Sequence, residues 1–98
     1  MKVVKRYMVQ DGKAWAPPHW DPLSVWCSES GNIYIQALVN CHDPAVALKS
    51  IKLVRFEGMG LTSILDDDMY SYRYIGGVSE NNEILYHVFE EIEKNASD

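Results

Sequence analysis

A chain of 98 residues with 47% hydrophobic content can build one hydrophobic core but not two, so a single domain over residues 1–98 is expected. It has no run of 18 apolar residues and no apolar signal region after Lys2, Lys5 and Arg6, which excludes a membrane-spanning helix and makes the cytoplasm the expected location. The net charge of −5 is unevenly spread: residues 66–98 hold nine carboxylates against Arg73 and Lys94, and residues 1–65 hold five against seven Lys and Arg side chains. An acidic segment of this kind repels phosphate backbones and suits a basic partner, which argues against direct nucleic-acid binding.

Val3 to Val9 alternates, with Val3, Lys5, Tyr7 and Val9 on one side, and reads as a first strand ending at the turn signal Asp11-Gly12. Next comes Trp15-Ala-Pro-Pro-His-Trp20-Asp-Pro22, whose three prolines bar a helix interior and a central strand. The stretch from Lys13 to Leu23 is therefore expected to be an ordered loop or extended segment, and its two tryptophans predict that it packs on something, since disordered linkers are poor in aromatics.

Ser24 to Ser28 and Asn32 to Val39 read as two strands about a turn at Gly31-Asn32, with Ile33, Ile35, Ala37 and Val39 facing one way. A tight turn there places Trp26 beside Ala37, on the face of Ile33 and Ile35, and Cys27 opposite Gln36. Cys41 then lies about 16 Å further along the strand, beyond disulfide reach. Two free thiols are the expectation.

Asp43-Pro44 offers a helix cap and a first-turn proline, so a short helix over Ala45 to Leu48 is expected, competing with an extended segment that leads into the strand-like Ile51 to Phe56. Gly58-Met-Gly60 breaks the pattern. Asp66-Asp67-Asp68 marks an exposed turn. Met69 to Ile75 reads as the last strand, with Tyr70, Tyr72 and Tyr74 on one side and Gly76-Gly77 as its end.

From Asn82 to Lys94 the apolar residues Ile84, Leu85, Val88, Phe89 and Ile92 fall within about 140° of arc at roughly 100° per residue, opposite Glu83, His87, Glu90, Glu91 and Lys94. This predicts an amphipathic C-terminal helix with Phe89 as its central contact. The expected fold class is therefore α+β, a mainly antiparallel sheet of four to five strands with that helix packed on one face.

No catalytic or cofactor motif stands out. His19, Cys27, Cys41 and His42 are zinc-ligand types, but no ligand pair has the spacing of a structural site, so no metal is expected. A Cys/His nucleophilic pair lacks any sign of an oxyanion donor or pocket. Consecutive aspartates lack the spacing of a calcium loop. No cofactor and no enzymatic activity are expected.

The aromatic residues are more informative. Either the Trp/Pro loop covers the tyrosine ladder as a second small core, or Tyr70, Tyr72 and Tyr74 stay partly exposed beside Asp66, Asp67 and Asp68 and form a partner-binding surface. The second reading leads to a non-catalytic acidic protein that masks a basic partner, in the manner of an immunity protein against a toxin or a phage inhibitor against a nucleic-acid-processing enzyme. Alternatives are a small ligand-binding or regulatory domain using the Trp15, His19 and Trp20 loop, and an assembly subunit.

Overall fold

A computed structural model describes residues 1–55, 69–80 and 83–93. Among these residues the chain is all-β, with seven strands and no helix: β1 (Lys2–Val9), β2 (Lys13–Ala16), β3 (Asp21–Cys27), β4 (Ile33–Asn40), β5 (Ala47–Arg55), β6 (Tyr70–Glu80) and β7 (Glu83–Glu93). They form two antiparallel sheets, one ordered β1-β4-β3 and the other β2-β5-β7-β6. Ile35, Ala37 and Val39 of the first sheet share one buried core with Ala14, Ala16, Ile51, Ile75, Val78 and Val88 of the second. The expected α+β class is thus corrected to a two-sheet β architecture. Among the described residues no helix is long and apolar enough to cross a membrane.

The first strand is as expected, with Val3, Tyr7 and Val9 packed against the core. Lys5 shares their side of β1, opposite Ala37, yet remains exposed. A charge pointing inward on an edge strand discourages further strands from adding there. Asp11 and Gly12 have φ of 54° and 73°, the backbone of a two-residue turn with both central residues left-handed, which Asp and Gly tolerate. Gln10 N donates to Lys13 O at 2.8 Å and Lys13 N to Gln10 O at 3.0 Å. This turn carries the chain from one sheet to the other.

The β3–β4 hairpin exists, but in a different register. Gly31 N donates to Ser28 O, Ser28 N donates to Asn32 O, and Gly31 has φ of 88°, so the connection is a three-residue turn with a glycine bulge instead of a tight turn. Trp26 consequently opposes Tyr34, not Ala37, and Cys27 opposes Ile33, not Gln36. A shift by an odd number of positions turns the strand over. Val25 takes the core side opposite Ile35, while Trp26 lies 45% exposed with the Arg6 guanidinium 4.7 Å from its ring centre. Cys27 and Cys41 are both free, separated by most of the length of β4. Pro22 sits on an edge strand beside a register irregularity, where its missing N–H costs no ladder bond.

The short helix after Asp43 is also corrected. Asp43 Oδ1 accepts from Ala45 N at 2.9 Å, a local turn bond that competes with helix capping. The chain then enters β5 at Ala47, the extended alternative.

The largest correction is the C-terminal helix, which is strand β7, paired on one side with β5 and on the other with β6. The same letters fit a two-residue period: Tyr86, Val88 and Glu90 turn toward the core while His87, Phe89 and Glu91 occupy the other face. Glu90 sits where an apolar residue was needed to reveal that period. Its neighbours Tyr86, Val88 and Phe89 are β-branched or aromatic and suit a pleated surface. Gly76-Gly77 does not end β6 but sits in it. An irregularity between Tyr74 and Gly76 lets Ile75 and Val78 both be buried although three positions apart. At Gly76 an added Cβ would lie 3.5 Å from Val25 Cγ2, so the two sheets come close there. Phe89, expected as the central core contact, is only half-buried and stacks edge-on to Tyr74 at 5.2 Å. Phe89→Ala is therefore expected to cost less than about 2 kcal/mol, well below the 3–5 typical of a core phenylalanine, as measured by denaturant unfolding.

Candidate functional site

The outer face of the four-stranded sheet carries the tyrosine ladder. Tyr70, Tyr72 and Tyr74 lie on β6, an edge strand, and oppose Glu93, Glu91 and Phe89 of β7 in register. Directly opposed residues share a face, so two tyrosines and two carboxylates alternate in one patch. Tyr74 is 53% exposed and its hydroxyl lies 3.0 Å from His87 Nδ1. A shallow hollow of about 400 Å³ beside this patch is lined by Leu48, Ser50, Tyr70, Glu91 and Glu93. Asp66, Asp67 and Asp68 lie outside the described residues. The row Lys13, Ser50, Glu91, Tyr72 runs across all four strands, so the carboxylates of this face lie toward β6 and β7.

Trp15, His19 and Trp20 are not brought together. Trp15 is 65% exposed on the outer face opposite Leu48, and His19 is exposed. Trp20 turns the other way and is 5% exposed. Its ring meets Tyr7 edge-on at 5.8 Å. The loop accordingly supports the interior of the fold and does not cover the tyrosine ladder. Burial pushes the Tyr7 phenol above its ordinary range, because the ionised form loses hydration.

Sequence reasoning missed the buried Glu90. Its Oε1 accepts from Trp20 Nε1 at 3.1 Å, from Arg73 Nε at 3.2 Å and from an Arg73 terminal nitrogen at 2.5 Å. Register creates the pair, since Arg73 and Glu90 are direct cross-strand partners. The arrangement satisfies a carboxylate inside the core and ties the Trp20 segment to β7, one of the two inner strands of the four-stranded sheet. The three bonds that converge on Oε1 make this node a tether.

Cys27 Sγ contacts Ser28 O at 3.5 Å, and among the described residues no thiol is hydrogen-bonded to a histidine. Among those residues no group of three or more His, Cys, Asp or Glu side chains is placed to hold a metal ion. What the outer face of β6 and β7 offers chemically is aromatic contact area interleaved with negative charge. Comparison with protein-family models, curated proteins and solved structures yields no match.

Proposed function

We propose that the protein is a non-catalytic cytoplasmic binding protein that masks a basic partner, such as a toxin or a nucleic-acid-processing enzyme, through the outer face of β6 and β7. The observation that carries this reading is the register of Tyr70 with Glu93 and Tyr72 with Glu91, which gathers half-buried tyrosines and carboxylates on one sheet face. Carboxylates steer a Lys/Arg-rich surface into the encounter, and aromatic side chains supply the contact area that holds the complex. Arginine suits such a patch best, because its planar head pairs with carboxylates and stacks on tyrosine. The same charge disfavours nucleic acid itself.

Capture of partners from the native host, followed by salt titration of the purified complex, tests this. A basic partner is expected, with association slowing as salt rises and affinity falling at least about tenfold when Glu91 and Glu93 are changed to lysine, or when Asp66, Asp67 and Asp68 are. Association indifferent to salt and to both reversals would sink the proposal.

A further inference from the structure

On the same sheet but at its opposite edge, a cleft of about 330 Å³ is lined by Met8, Gln10, Asp11, Lys13, Trp15 and Leu48. We propose that this cleft is a binding site for a neutral saccharide, with the Trp15 indole as its stacking platform. The cleft and the hollow beside the β6 and β7 surface share Leu48 and are otherwise lined by different residues.

Three observations carry it. The first is the indole itself. Ala14 and Ala16 of β2 are buried while Trp15 between them is 65% exposed, so strand alternation holds the ring outward on a backbone fixed by pairing with β5. The exposed indole offers a large flat surface on which the apolar face of a ligand can stack.

The second is the turn beside it. The Gln10–Lys13 turn is closed by two backbone bonds and pinned to β5 by Ile51 N donating to Gly12 O at 2.8 Å. The backbone of Gln10, Asp11 and Lys13 is thereby fixed beside the ring, and their exposed side chains have no hydrogen-bond or ion partner among the described residues. A fixed backbone removes part of the ordering cost of binding, and unpartnered polar side chains are open to a ligand.

The third is the balance of chemistry. Asp11 only accepts hydrogen bonds, Lys13 only donates, and Gln10 does both. Their charges cancel, so a charged ligand gains no net attraction. A neutral ligand whose hydroxyls donate and accept and whose apolar C–H face meets the indole fits this set, which describes a pyranose ring. Met8 and Leu48 supply the apolar remainder, and the volume lies at the lower end of the roughly 300–1,000 Å³ usual for small-molecule sites.

The test is an NMR titration of the isotope-labelled full chain with a panel of neutral hexopyranose and N-acetylhexosamine mono- and oligosaccharides. Saturable shifts are expected at the Trp15 indole N–H and at the backbone amides of Gln10 through Ala16. Trp15→Ala should raise Kd about tenfold or more at an unchanged unfolding temperature, Trp15→Phe should retain part of the affinity, and Asp11→Asn, which exchanges an acceptor for a donor, should weaken binding. Absence of saturable shifts with every sugar would overturn the proposal, as would binding that survives Trp15→Ala. So would sugar-free shifts at Trp15 that grow with protein concentration, since a second copy would then be the occupant.

Discussion

Trp20→Ala should destabilise the fold by about 3–5 kcal/mol, the cost of emptying a buried aromatic site, and in a 98-residue domain that approaches the whole of its stability. Two losses combine. The cavity opens beside Tyr7, whose ring meets the indole edge-on at 5.8 Å, and Glu90 loses the indole N–H that reaches it at 3.1 Å. Trp20→Phe separates them, because it keeps most of the volume and removes only the donor. Its expected cost is about 1–3 kcal/mol, that of a buried acceptor losing one partner. Trp15→Ala, five positions earlier but on the outer surface, should change stability by less than about 1 kcal/mol. Urea unfolding of the three variants checks the order, and a Trp20→Ala protein as stable as Trp15→Ala would mean that the indole does not enter the core.

Arg73→Ala should cost about 2–4 kcal/mol. Removing one member of a buried ion pair leaves the other charge without compensation, and the Glu90 side chain is only 7% exposed. The arginine is 41% exposed, so part of its charge was screened by solvent, and the figure is set below that of a fully buried pair. Replacing both residues, as Arg73→Leu with Glu90→Leu, should be less harmful than Arg73→Ala alone, because no lone carboxylate remains in the core. A double-mutant cycle measured by denaturant unfolding reports the coupling. Zero coupling would contradict the geometry of the three bonds converging on Glu90 Oε1.

The tyrosine ladder was readable because a two-residue period needs no knowledge of neighbours: wherever the strand lies, Tyr70, Tyr72 and Tyr74 share a side. What faces them was not readable. Glu91 and Glu93 join the patch only if their segment is a strand, and a helical reading scatters them. Glu90 is the hardest position to read, because its burial depends on Trp20, in the connection between β2 and β3, and on Arg73 of β6.

The amino-acid sequence by itself determined the local features whose physics is contained in a few adjacent residues. These are the alternation of β1, the turn at Asp11-Gly12, the exclusion of helix from the proline-rich segment, and the placing of Tyr70, Tyr72 and Tyr74 on one side of a strand. Tertiary structure decided the rest. The hairpin register followed from which turn Ser28, Gly31 and Asn32 close, and that choice sent Trp26 outward and Val25 inward. The state of residues 83–93 was decided by flanking strands: β5 and β6 offer backbone hydrogen bonds along both sides of β7, and pairing plus burial of Val88 outweighs a helical spacing of apolar residues. Trp15 and Trp20, alike in sequence context, part because one has a carboxylate waiting across the core and the other does not.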